Sequence, residues 1–212
     1  ESGHKEQDRQ TGADGGAIAN LAGANASLTN VTLSGNRAAR GAGVFNAGTL
    51  SLLNTTITAN TATATAGGVF SESGAVVNVQ NTLIAENTAA TSRDLAGAFT
   101  SSGNNLIGDP TGSTGITRDV AGNLVGTQAQ QLDPGLGPLS ENDGTNFTHD
   151  LLPGSQALNS GNNSAAPLTD QRGLLRRPDG VGTVDIGAVE QVFAYISGIK
   201  FHDLDADGFQ DV

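Results

Sequence analysis

The chain has no cysteine, no methionine and no tryptophan, and only two lysines, Lys5 and Lys200, among its 212 residues. Without cysteine it has no disulfides, no thiol nucleophile and no cysteine-ligated zinc. Two lysines set in a net charge of −11 leave no cluster of cations with which to hold phosphates, which excludes nucleic acid and an anionic bilayer as partners. Aromatic side chains are scarce, seven Phe and the single Tyr195, so sugar stacking has few candidate platforms. No apolar run reaches the roughly 18 residues of a membrane span, so this segment is not expected to insert in a membrane. The chain opens on Glu1 with no signal peptide, and is expected to be a mature or proteolytic piece of a larger exported protein.

What is abundant is small. Glycine supplies 30 residues, and Ala, Asn, Ser and Thr fill much of the remainder. A hydrophobic content of 36% is too low for a broad core, yet the apolar residues recur periodically, which argues against disorder and for a narrow core repeated many times. Asn30, Asn54, Asn81 and Asn104 mark one place in successive repeats, 24, 27 and 23 residues apart. Leu28, Leu52 and Val79 lie two residues before them, and Leu33, Ile57, Ile84 and Ile107 three after. Asn36, Asn60 and Asn87 follow, and Ile18, Phe45 and Phe70 form a further apolar column. Apolar residues alternate with Ser, Thr and Asn, which is strand spacing, and the rungs lack the several leucines of a leucine-rich repeat. The period predicts an all-β fold, a right-handed parallel β-helix with roughly 23–27 residues per rung, each rung three short strands and three turns.

Three corollaries follow from that reading. The Asn30 column is expected to point inward and hydrogen-bond up and down the stack. The glycine pairs are expected to supply positive φ at tight corners. Residues 111–150 read as long loops, and Leu151-Leu152, Ala157-Leu158 and Val184–Val189 as the last rungs and a terminal cap. The resulting organisation is an entering segment over 1–14, the β-helix over 15–191, and a linker with the start of another repeat over 192–212.

The strongest chemical motif is Asp203-x-Asp205-x-Asp207-Gly208-x-x-Asp211. Alternate carboxylates in a glycine-bearing loop suit a hard cation, Ca²⁺, with the Phe209 carbonyl as a further ligand. The closing bidentate carboxylate would fall beyond Val212, so a calcium loop and a plain acidic terminus both stay open. The densest charged cluster is Asp170, Arg172, Arg176, Arg177 and Asp179. It reads either as a hydrogen-bonded cap or as a carbohydrate or carboxylate site built on a bidentate arginine. Arg37 and Arg40 are expected at a solvated corner, and Arg93-Asp94 and Arg118-Asp119 as exposed pairs. His4, His149 and His202 are too far apart in sequence to argue a zinc site or a triad. No pair of carboxylates at matching positions on adjacent rungs supports glycoside hydrolysis.

Several stretches resemble known families. Residues GGAI (15–18), with LSGN, ITAN and IAEN at the rung ends, resemble the GGxI and FxxN repeats of polymorphic outer-membrane proteins. Leu151-Leu152-Pro153-Gly154-Ser155-Gln156-Ala157, followed by Asp170-Gln171-Arg172-Gly173 and Asp185-Ile186-Gly187-Ala188-Val189-Glu190, resembles the end of the choice-of-anchor (Q type) surface domains. Ser197 to Asp211 resembles the opening of the calcium-binding B-type repeats of surface adhesins. These resemblances imply a right-handed β-helix on a bacterial cell surface and supply no activity. The expectation is a non-catalytic extracellular structural or adhesive module. Its candidate partners are extracellular polysaccharide or further copies stacked end to end into fibres. The competing expectation is a polysaccharide-binding or lyase- or epimerase-like β-helix.

Overall fold

The computed structural model describes residues 13–177 and 180–191. The first coil carries β1 (Ile18–Asn20), β2 (Asn25–Thr29), β3 (Thr32–Ser34) and β4 (Arg37–Arg40). The second repeats it as β5 (Val44–Asn46), β6 (Thr49–Leu53), β7 (Thr56–Thr58) and β8 (Thr61–Thr65). The third holds β9 (Val69–Ser71), β10 (Val76–Gln80) and β11 (Leu83–Ala85), and the fourth β12 (Leu95–Ala98), β13 (Thr100–Ser101) and β14 (Leu106–Ile107). A partial fifth adds β15 (Ser113–Thr114) and β16 (Leu124–Val125). Corresponding strands pair in parallel, giving the faces β1-β5-β9-β12-β15, β2-β6-β10-β13, β3-β7-β11-β14-β16 and β4-β8. The fold is therefore a parallel β-helix of about four turns, roughly 24 residues each, as the period predicts.

The core is the stack of inward columns. Register aligns Leu28, Leu52 and Val79, and separately Leu33, Ile57, Ile84 and Ile107, as the repeat predicts. The Ile18 column is displaced by one residue from expectation. Ile18 aligns with Val44, Val69 and Leu95, which face inward, whereas Phe45 and Phe70 pair with Ala19 and Ala96 on the outer face. A one-residue offset turns a strand residue to the opposite face. The two Phe rings stack outside, 5.6 Å between centroids.

Polar groups inside the coil are held by ladders along the axis. Asn36 Nδ2 donates to Asn60 Oδ1 (2.8 Å), Asn60 Nδ2 to Asn87 Oδ1 (2.9 Å), and Asn87 Nδ2 to Asp94 Oδ1 (2.8 Å). Each acceptor also takes the backbone N–H of the preceding member. Asn20 to Asn46 and Asn105 to Asn123 form two shorter ladders at other corners.

The glycine expectation holds at some positions and not at others. Gly43 and Gly68 do not have positive φ; a Cβ on either would lie within 2.8 Å of the neighbouring coil's backbone oxygen and of an isoleucine methyl. They are glycine because the stacked coils leave no room. Positive φ does occur at Gly15 of the first pair (74°) and at Gly41 (58°), and a second left-handed corner falls to Asn30, Asn54, Asn81 and Asn104, with φ between 45° and 56°, a conformation asparagine tolerates better than most residues.

The chain after residue 132 also departs from expectation. Over residues 133–177 and 180–191 it adds no further coil to the stack. It forms an antiparallel hairpin, β17 (Leu136–Ser140) and β18 (Thr148–Leu151), and an irregular stretch that runs along the side of the helix. This flank covers the outer surface of the β3-β7-β11-β14 face: Leu83, Ala85 and Leu106 pack against Leu151, Ala157 and Ile186. That face is buried on both sides, with Leu33, Ile57, Ile84 and Ile107 inside.

Replacing Asn60 by Ala would strand buried donors and acceptors on two neighbouring coils at once. We expect a loss of about 3 kcal/mol in urea denaturation. Asn25→Ala, on an exposed strand end, should leave the midpoint unchanged.

Candidate functional site

The flank is attached through the asparagine corner column. Asn30 Nδ2 donates to the Thr169 carbonyl (2.7 Å), Asn81 Nδ2 to Asn162 O (3.0 Å) and Asn104 Nδ2 to Ser160 O (2.9 Å). Asn54 reaches Gly187 O at 3.4 Å. The backbone N–H of Asn162 donates to Asn81 Oδ1 at 2.7 Å. The column therefore faces outward, contrary to expectation; only Asn81 to Asn54, at 3.3 Å, links two of its members. Its left-handed backbone aims each amide away from the core and at the flank. Asn54, a glycosylation sequon, is fully buried there and leaves no room for a glycan.

The charged cluster sits where this flank folds on itself. Asp170 Oδ1 accepts the backbone N–H groups of Arg172 and Leu174, and Oδ2 accepts Arg172 Nε (2.9 Å) and the Glu190 N–H (3.0 Å). Arg172 spends its remaining donors on Asn142 O, Asp150 Oδ1 and Glu190 O. Arg176, 2% exposed, donates to Asn30 Oδ1 (2.8 Å), to the Gly187 and Ala188 carbonyls (3.0 Å each), and to Glu190 Oε2 (3.4 Å). Asp185 accepts the N–H groups of Asn159 and Gln191. Arg177 lies at the margin and bonds the Gly180 carbonyl; Asp179 lies outside the described residues. A cavity of about 180 Å³ adjoins Leu168, Leu175, Arg176 and Val184, but the unpaired Arg176 Nε is buried below its surface.

The described members of the cluster are hydrogen-bonded to one another and to backbone, and they lie along the side of the helix, not at its end. Sequence spacing linked Asp170 to Arg172. It missed Asp185 and Glu190, which the fold brings in from the D-I-G-A-x-E segment. Burial pushes the Glu190 carboxyl up to about 8, helped by the Asp185 charge. Burial likewise raises Asp185 and lowers Arg176. The cluster is too dry for every carboxylate in it to hold its charge comfortably.

Three other sites differ from expectation. Asp94 is buried at the end of the asparagine ladder while its neighbour Arg93 is exposed, so the two are not an exposed pair. Desolvation lifts Asp94 to about 6, even though its carboxylate accepts from Asn87 and the Asp109 N–H. Arg40 is not merely solvated: it is paired to Asp14 (Nε to Oδ1, 3.0 Å) and lies 5.0 and 4.8 Å from the Phe45 and Phe70 ring centres. His149, isolated in sequence, meets Ser34 across 115 positions at 2.9 Å. Its Nδ1 lies 2.8 Å from the Gly137 carbonyl and donates to it, and in a neutral ring Nε2 accepts from Ser34. The pair ties the hairpin to the first coil. Asp203, Asp205, Asp207, Phe209 and Asp211, the calcium candidates, lie outside the described residues. Among the described residues, no group of three or more His, Asp or Glu has a metal-binding arrangement, and no helix is long and apolar enough to cross a membrane.

Both raised carboxyls bind protons more tightly folded than unfolded. Their effect is most favourable below the unfolded values of 3.8 and 4.5, and is lost as pH rises through about 6 for Asp94 and about 8 for Glu190. Thermal melts between pH 4.5 and 8.5 should therefore show Tm falling with rising pH. Glu190→Gln should flatten the upper part of that fall, and a slope unchanged in this variant would refute the assignment.

Compared with known proteins, the chain matches no family model, no curated protein and no solved structure.

Proposed function

We propose that the chain is a non-catalytic structural or adhesive module of a larger bacterial surface protein. Its β-helix serves as an extracellular spacer and display surface, and leads into a calcium-stiffened repeat. The choice-of-anchor resemblance of the D-x-R-G and D-I-G-A-x-E segments supports the extracellular setting. The observation that carries the non-catalytic part is the fate of the densest charged cluster. Asp170, Arg172, Arg176, Asp185 and Glu190 spend their hydrogen bonds on backbone groups, on one another and on Asn30 and Asp150. A lyase or hydrolase would need such acids and bases turned toward a polymer. The D-x-R-G and D-I-G-A-x-E motifs read accordingly as fastenings. Ile186 fills the cleft against Leu83 and Leu106, and the backbone N–H of Ala188 donates to Thr56 Oγ1 (3.0 Å).

Incubation with alginate, polygalacturonate and neutral glucans is the test of the non-catalytic reading. No new reducing ends and no unsaturated uronates are expected. Product formation that Arg172→Ala or Arg176→Ala abolished would sink it. Calorimetric titration with Ca²⁺ tests the tail. A chain extended past Val212 should bind, and Asp205→Asn with Asp207→Asn should abolish the heat; no binding by the extended chain would remove calcium from the proposal.

A further inference from the structure

The flank runs up and down the face it covers, and its hydrogen bonds give the order of the passes. It leaves the stack at the fourth coil, where the Leu132 N–H donates to the Gly108 carbonyl, and reaches the first coil at His149. It returns to the fourth at Ser160, then comes down past Asn162, on the third, to Thr169 and Gln171, on the first. The last pass starts again beside Asn162, where Val184 bonds Gly161 and Asn163. It descends through Gly187, whose N–H donates to Asn81 O, and Ala188, held by Thr56 of the second coil. It ends at Glu190, whose N–H donates to Asp170, the residue after Thr169, and Thr169 is bound to Asn30 of the first coil. The described chain therefore leaves on the coil where it enters, for Ala13 accepts the Ala39 N–H and Asp14 pairs with Arg40.

We propose that the contacts joining this exit to the first coil are a force-bearing lock, and that the later coils stand outside the line of tension. The proposal rests on the reading of the chain as part of a larger surface protein and narrows it. A body whose entry and exit share one coil displays a surface and adds little length between its neighbours. Tension applied at Ala13 and Gln191 crosses from the first coil to the flank without passing along the stack. It meets Asn30 Nδ2 on Thr169 O (2.7 Å), Thr32 Oγ1 on Gln171 Oε1 (2.6 Å) and Arg176 Nη2 on Asn30 Oδ1 (2.8 Å). Behind them stands the knot in which Asp170 holds Arg172 and the Glu190 N–H.

The chemistry of these contacts suits resistance to force better than equilibrium stability. A buried charge with its partners contributes little net stability, because it has been taken out of water. Pulling it from those partners is another matter: they separate before water can replace them, so the uncompensated charge stands in the barrier to opening. Forced opening is governed by that barrier and not by the free energy of unfolding. Arg176 is buried with acceptors on Asn30, Gly187, Ala188 and Glu190, and Asp170 is buried with donors on Arg172, Leu174 and Glu190. The costly knot stands on the path that tension takes.

The chain has no cysteine, so optical-tweezers handles can be attached to the full chain at Ala13→Cys and Gln191→Cys and the lifetime to first rupture read at constant force. Thr32→Val, which removes one hydrogen bond from a half-buried site, should shorten that lifetime by roughly tenfold. Arg176→Met should shorten it on the order of a hundredfold. Asn123→Ala, in the ladder of the last coil, should lower the melting temperature and leave the lifetime unchanged. Thr32→Val carries the test by itself if Arg176→Met fails to fold. A lifetime that Thr32→Val leaves unchanged, or that Asn123→Ala shortens as much, overturns the proposal. Either result leaves the non-catalytic reading untouched, because only product formation overturns that.

Discussion

Each coil is one strand separation thick, so a group buried between coils finds its long-range partner on the coil directly above or below it. Everything else in the structure depends on that constraint. It explains why one residue type recurs in a column: an asparagine amide can donate to the next coil while its oxygen accepts from the previous one. It explains Gly43 and Gly68, where backbone and isoleucine of the adjoining coil occupy the space of a side chain. It also explains why the long ladder ends on Asp94. The last asparagine has no further coil of its own kind, and a carboxylate accepts from it without needing to donate. The cost is a charge taken out of water, visible in the raised Asp94 carboxyl.

The flank answers a second constraint. A face bearing Leu83, Ala85 and Leu106 on its outer side would expose an apolar stripe to water. Residues 133–177 and 180–191 cover it with little regular structure of their own, and so must satisfy their backbone groups one at a time. The asparagine corners of four coils supply part of that, and the buried Asp170–Arg172–Arg176–Glu190 knot supplies the rest. Burying such a knot is expensive, and its merit is to fix one arrangement of an irregular chain. Because the attachment points are distributed from the first coil to the fourth, the flank also couples coils that otherwise touch only their neighbours.

These two devices partition the chemistry of the molecule. The buried Asp170, Arg176, Asp185 and Glu190 hold the flank, whereas the buried Asp94 ends the asparagine ladder, and the β2-β6-β10-β13 strands carry no charged residue.

The sequence alone determined the architecture of the coils. A period near 24 with two-residue alternation admits few folds, and the Leu28, Leu33 and Asn36 columns stand where the repeat puts them. It left the Phe45 column off by one, because an aromatic beside a valine gives no sign of which of the two faces inward. The Asn30 column was visible as a repeat, but its direction was not, since that is set by a left-handed backbone and by partners more than a hundred residues away. The stretch from Asp170 to Asp179 announced a cluster, and its D-I-G-A-x-E partner was legible as a motif. Only the tertiary structure joined them, brought His149 to Ser34, and laid the flank along the side of the helix and not across its end. The reason is physical: stacking repeats the same local choice in every coil and so writes itself into the sequence, whereas the flank makes each contact once, and a contact made once leaves no pattern.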